Sequence, residues 1–255
     1  MKEQVSLTPE LFKGKSLLIT TPAYGGMVNS TFALSIATLC KYLQALQIKH
    51  DVFFLNNESL ISRGRNTCVA RFMALYDFSH MIFIDADTIF EAQDVLKFLH
   101  SDEDVLTGPV PVKTLPVKYN VYTLRDENDN VISYKDKFLE MNSVGTAFMM
   151  IKRKVFEKMF EAYPELKYRP YEESIKRLYL GDKEEKYLDS CYALFDCGLN
   201  DTIFEDEQQG VKRYVAEDYM FCHRWRKIGG KILLDPNVKL NHVGTHIFEG
   251  DLSKL

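Results

Sequence analysis

The segment that most constrains this chain is His80-Met81-Ile82-Phe83-Ile84-Asp85-Ala86-Asp87. Four consecutive apolar residues bounded by a change to charge read as a short strand covered on both faces, as in the middle of a parallel sheet. Two carboxylates one residue apart end it. Alternation along an extended chain points Asp85 and Asp87 to the same side, so their repulsion has to be relieved. A divalent cation relieves it, and oxygen ligands suit Mg²⁺ or Mn²⁺. In open α/β sheets ligands bind beyond the carboxyl ends of the strands, which is where this pair sits.

Two plainer readings compete. A strand ending in Asp is also the Walker B pattern, and two Asp after a strand can simply start a turn or cap a helix. The Walker reading needs Gly-x-x-x-x-Gly-Lys-Ser/Thr after a strand. Gly14-Lys15-Ser16 is the candidate, but Pro9 stands where the first Gly belongs and the segment precedes a strand.

Around the central segment the pattern alternates. Lys15 to Thr21 reads as a strand closed by Pro22-Ala23-Tyr24-Gly25-Gly26, and Ser30 caps a helix with Phe32, Ile36, Leu39, Leu43 and Leu46 at helical spacing. Asp51 to Leu55 is a second strand, and Ser62 opens a helix with Val69, Phe72, Met73 and Tyr76 inward. This alternation predicts an α/β fold with a Rossmann-like, mostly parallel central sheet. The Gly-Gly turn lacks Gly-x-Gly-x-x-Gly, so no dinucleotide cofactor is indicated. Glu91 to His100 reads as a third helix and Asp104 to Val112 as a strand broken by Pro109 and Pro111. Tyr119 to Leu124 and Val131 to Tyr134 flank a polar hairpin loop, so an antiparallel C-terminal extension is expected. Val144 to Ile151 resumes a strand, and Arg153 to Tyr163 a helix. Tyr163 to Tyr187, rich in Lys, Glu and Tyr, reads as a solvated insertion or lid that closes over the site.

A chain of 255 residues, 46% apolar and 27% charged, buries an ordinary core as one domain. A net charge of −4 supplies no basic field for nucleic acid, which is excluded as a partner. Residues 1–8 lack the apolar core of a signal peptide and no run reaches transmembrane length, so a soluble, cytoplasmic protein is expected. Cys40, Cys68, Cys191, Cys197 and Cys222 are odd in number and show no Cys-x-x-Cys spacing; free buried thiols are expected.

A second carboxylate pair lies in Val215 to Gly230, which reads as a helix stopped by glycine. Asp218, Phe221, Cys222 and Trp225 recur at i, i+3, i+4 and i+7, so Asp218 shares the apolar face, whereas Glu217 points elsewhere. Stabilisation of the helix N-terminus explains either acid. A partly desolvated Asp218 also suits a general base, because burial raises its pKa toward the working range. Further on, Asn241-His242-Val243-Gly244-Thr245-His246 offers imidazole for a Mn²⁺-class ion; Gly244 permits close approach at His242, and His246 is the reserve.

Together an apolar strand ending in Asp-x-Asp, a later Glu-Asp opening an apolar helix, and a His-x-Gly near the C-terminus resemble the GT-A fold glycosyltransferases, viral and bacterial members above all. Ile61-Ser62-Arg63-Gly64-Arg65-Asn66 and Gly145-Thr146-Ala147-Phe148-Met149 fit the same comparison. The resemblance implies one GT-A domain over residues 1–255, with a nucleotide-binding half at about 15–112 and an acceptor half at about 113–250. It implies that Thr21, Pro22, Ala23 and Tyr24 line the nucleoside pocket, with Arg63, Arg65 and Asn66 near the nucleotide or its diphosphate. Asp85 would contact the ribose or the metal and Ala86 the nucleotide, Asp85, Asp87 and His242 would hold Mn²⁺ or Mg²⁺, and Gly145 and Thr146 would form the acceptor or donor-sugar wall. Asp218, with Glu217 beside it, would be the base of an inverting transfer from a nucleotide-diphosphate sugar, UDP-linked first, to a glycan or glycoprotein hydroxyl. For a viral member the compartment would be the host cytoplasm. Two rivals share the fold. A sugar-phosphate nucleotidyltransferase requires a basic Gly-rich loop after the first strand, and Pro22 to Gly26 has no basic residue. A non-catalytic sugar-binding protein has no need of Asp85, Asp87, Asp218 and His242 together.

Overall fold

The computed structural model describes residues 7–75, 77–135, 137–176, 178–200, 212–244 and 246–252. Its first half repeats strand and helix: β1 (Ser16–Ala23), α1 (Ser30–Ala45), β2 (Lys49–Asn56), α2 (Ile61–Ala74) and β3 (His80–Ile84). Then come β4 (Thr88–Ile89), α3 (Ala92–Ser101), β5 (Val105–Thr107), β6 (Pro111–Val112), β7 (Lys118–Tyr119), β8 (Val121–Thr123) and β9 (Ser133–Tyr134). The chain continues with β10 (Phe138–Val144), β11 (Phe148–Lys152), α4 (Arg153–Ala162), α5 (Glu172–Lys176), α6 (Glu184–Asp189) and β12 (Gly198–Asn200). Last are β13 (Arg213–Val215), α7 (Glu217–Lys227), β14 (Leu233–Leu234), β15 (Asn241–Val243) and β16 (Ile247–Glu249).

The main sheet runs β2-β1-β3-β11-β5-β14-β10-β8, with β9 beside β10. Parallel pairing joins β1 to β2 and β3, and β14 to β5. The α/β class and the mostly parallel sheet agree with the sequence pattern. The antiparallel extension is present as well, β8 and β9 pairing with β10 at the sheet's edge, but a further antiparallel strand, β11, lies in the middle, between β3 and β5. Periodicity reports which residues are buried, and a central strand looks the same whichever way it runs.

Alternation on β3 builds the core. Met81 and Phe83 face one apolar layer with α2, α4, α6 and α7, while Ile82 and Ile84 face a second with α1 and α3. Several local expectations change. Asn29, and not Ser30, caps α1, its side chain accepting from Thr31 N–H at 2.9 Å. Val215 belongs to β13, so α7 begins at Glu217. The stretch expected as a solvated lid instead sends Ile175, Leu178, Leu180 and Tyr187 into the core, with α6 packed on α2: a few apolar side chains among many charged ones are enough to anchor it. All five cysteines are free, but Cys197 is exposed and Cys40 half-buried. Among the described residues no helix is long and apolar enough to cross a membrane.

Candidate active site

β3 stops at Ile84, and the chain turns, with Thr88 N–H donating to the Asp85 carbonyl at 3.0 Å. Strand alternation therefore does not reach Asp87, and the two carboxylates take different partners. Arg65 Nη2 donates to Asp85 Oδ1 at 3.2 Å. Lys113 Nζ lies 2.5 Å from Asp87 Oδ2, and His242 Nε2 lies 3.3 Å from Asp87 Oδ1. The chain's own cations thus relieve the repulsion that a shared ion was expected to relieve. His242 reaches Asp87 because β4 pairs with β15, setting Thr88 opposite His242, while Val243 N–H donates to the Asp87 carbonyl at 2.8 Å. Burial pushes the Asp87 carboxyl up, but His242 and Lys113, one at each of its oxygens, outweigh it and hold it at about 2.

His242 bears directly on the cation. Its Nδ1 lies 2.9 Å from the Pro111 carbonyl oxygen, which can only accept, so Nδ1 carries the hydrogen. In the neutral ring Nε2 is then a bare lone pair facing a carboxylate oxygen. Two acceptors 3.3 Å apart call for a positive charge between them, a proton or a metal. Two ligands at right angles on an ion with bonds of about 2.1 Å stand about 3 Å apart, so the pair fits Mg²⁺ or a similar ion. Among the described residues no group of three or more His, Cys, Asp and Glu is placed to hold a metal. Ions of this kind commonly take one or two protein ligands and fill the rest with phosphate and water. The expected third ligand, Asp85, is turned to Arg65, and His246 is exposed with its ring against Phe248.

Arg65, in α2, is buried and spans the two acidic motifs: its Nε donates to Glu217 Oε1 at 3.3 Å while Nη2 serves Asp85. Among the described residues its Nη1 has no hydrogen-bond partner. Glu217, read from the helical pattern as pointing away, is buried with this guanidinium. Asp218 stands beside them at the first turn of α7, Tyr219 N–H donating to its Oδ1 at 2.8 Å. Burial first and the neighbouring Glu217 second push its carboxyl up to about 6, with Arg65 pulling the other way.

Between β10 and β11 the residues Gly145, Thr146 and Ala147 pass through the centre of this group. Ala147 accepts from Asp85 N–H at 3.0 Å, and a Cβ at Gly145 would lie 3.5 Å from Asp218 Oδ2. Thr146 is buried, and among the described residues its hydroxyl has no partner. Asp218, Gly145, Tyr219, Lys113 and His242 line one cavity of about 340 Å³. Lys113 and Tyr219 escaped the sequence reading; the only signal for Lys113 was its place just after a short Pro-containing strand, and Tyr219 was hidden by its neighbour Asp218.

The nucleoside candidates gather at the same end of the sheet. Thr21, Pro22 and Ala23 end β1, and Tyr24 is exposed in the turn that follows. Asn29 N–H donates to the Ala86 carbonyl at 3.1 Å, tying that loop to the Asp85-Ala86-Asp87 turn. Arg63 forms a two-pronged pair with Glu58, at 2.7 and 2.8 Å. Asn66 lies in the core, giving and taking hydrogen bonds with the Phe195 backbone at 2.8 and 2.9 Å. Its amide is thus committed to joining α2 to that segment.

In sequence the chain matches no family model and none of the curated proteins. Solved structures do match. A197 from STIV superposes with a TM-score of 0.50 over 90% of this chain and 86% of that one, at 19% identity. The two chains share this layered α/β fold with its large central sheet. GalNAc-T7, in a crystal structure with UDP, GalNAc and Mn²⁺, gives a TM-score of 0.46 at 10% identity, covering 90% of this chain and 43% of that one. At these identities the likeness speaks for the fold alone.

Proposed function

We propose that the chain is a metal-dependent glycosyltransferase that moves a sugar from a nucleotide-diphosphate donor, a UDP-sugar first, to a hydroxyl of a glycan or glycoprotein, with inversion. The observation that carries the reading is the single cavity lined by Asp218 and by His242, the partner of Asp87. Its volume, about 340 Å³, is at the small end of ligand pockets and suits a sugar ring.

Asp218 takes the proton of the acceptor hydroxyl. With a pKa of about 6 it is ionised at neutral pH and still a stronger base than an ordinary carboxylate. Gly145 leaves its Oδ2 approachable. Thr21, Pro22, Ala23 and Tyr24 receive the nucleoside, Asp85 and Ala86 meet the ribose, and Arg63 reaches the diphosphate on leaving Glu58. Arg65 and Asn66 act at one remove: Arg65 positions Asp85 and Glu217, and Asn66 holds α2 in place. Asp87 and His242 would hold a divalent cation, which would supply Lewis-acid stabilisation of the charge that develops on the leaving diphosphate.

Calorimetry with UDP, GDP and dTDP, each with and without Mn²⁺, tests the reading. UDP is expected to bind when Mn²⁺ is present and poorly otherwise. Binding indifferent to the metal overturns the metal assignment. Release of pyrophosphate from UTP and a sugar phosphate replaces the reading with a nucleotidyltransferase.

A further inference from the structure

Lys113 lies at the metal end of the cavity, and no step above uses it. Its ammonium sits on the second oxygen of Asp87, 2.5 Å away, while the first oxygen faces His242. Its stem passes over Gly244, where a Cβ would come within 3.3 Å of Lys113 Cδ, so glycine leaves the lane for that side chain. Lys113 also begins the connection between β6 and β7 and is half-exposed, on a flexible four-carbon stem that moves without the backbone.

An ammonium and a dication compete for the same carboxylate lone pairs, and two positive charges on one carboxylate repel. The pairing of Lys113 with Asp87 and the loading of Asp87 therefore oppose each other. A nucleotide diphosphate offers the displaced ammonium a new anionic partner a short swing away. Resting on the metal-dependent reading above, we propose that Lys113 is an exchangeable counter-ion: it neutralises Asp87 in the nucleotide-free protein, gives way to the cation, and binds a phosphate oxygen of the donor. The exchange makes metal and nucleotide bind together, because nucleotide stabilises the arrangement in which Asp87 is free.

The test follows Mn²⁺ by electron paramagnetic resonance, with the full chain and without turnover. Lys113→Gln is expected to bind Mn²⁺ alone about fivefold tighter, since its competitor is gone. With saturating Mn²⁺ it is expected to bind UDP about tenfold more weakly, since a charge-assisted phosphate contact is lost. Lys113→Arg keeps the charge and is expected to follow the wild type in Mn²⁺ affinity, which controls for damage to the fold. Equal Mn²⁺ affinity in wild type and Lys113→Gln, or a parallel loss of Mn²⁺ and UDP affinity, overturns the exchange alone. No Mn²⁺ uptake by either protein, with or without UDP, overturns the metal reading and the exchange with it.

Discussion

Replacing Arg65 by methionine removes the guanidinium that lies between Asp85 and Glu217 while filling most of its volume. At 3.3 Å from Glu217, and with an effective dielectric of about 20, the attraction is about 5 kcal/mol before desolvation is charged against it. Arg65 and Glu217 are both buried, so the variant strands a carboxylate away from water. Breaking such a pair from one side costs about 3 to 5 kcal/mol, a large share of the roughly 5 to 15 kcal/mol that holds a domain together. Asp85 adds less, because it is about a quarter exposed, at 28%. For a chain of this size the melting temperature should fall by about 10 °C. Urea denaturation of Arg65→Met, Glu217→Gln and the double variant measures the coupling directly. Arg65→Met should cost about 2 kcal/mol less in the Glu217→Gln background, where no charge is left stranded on α7. Equal costs in the two backgrounds, or a single-variant cost below about 1 kcal/mol, would refute the assignment of Arg65 as the clamp between the acidic motifs.

Asp218 should impose a stability cost that depends on pH. Its carboxyl titrates at about 6 in the fold and near 4 in the unfolded chain, so the folded state holds the proton longer and stability falls as pH rises from about 4 to 6. Asp218→Asn should therefore stabilise by about 1 to 2 kcal/mol at pH 7.5, less than the full displacement implies because the side chain is partly exposed; at pH 4 the gain should vanish in thermal melts. The same variant should keep near-normal nucleotide binding and lose transfer, whose rate in the wild type should rise through about pH 6; full transfer by Asp218→Asn would remove it as the base. Asp87→Ala should abolish Mn²⁺-dependent UDP binding in calorimetry, and unchanged binding would move the cation site elsewhere. Gly230→Ala would place a Cβ 2.0 Å from Trp225 Cε2, and should cost about 3 kcal/mol in urea unfolding unless that ring can be displaced.

Much of the fold is written locally. The apolar run at β3, the helical spacing of α1, α2 and α7, and the change to charge at Asp85 each report a burial pattern carried by consecutive residues, and these elements stand where the pattern puts them. Boundaries were less legible, because a cap such as Asn29 depends on which side chain turns back toward the helix. Candidate site residues were legible only as types: carboxylates at the end of a buried strand, a carboxylate on an apolar helix face, and a histidine before a glycine.

What the sequence by itself determined was the layered α/β plan and the short set of residues able to do chemistry, since both follow from hydrophobic periodicity and side-chain functional groups. Only the tertiary structure decided how they are partnered. The turn after Ile84 separates Asp85 from Asp87, the β4–β15 pairing brings His242 to Asp87, and burial turns Arg65 from a nucleotide contact into a clamp on Glu217. Strand direction, long-range pairing and the neutralisation of a buried charge depend on groups far apart in the chain, and no local pattern encodes which of them will meet.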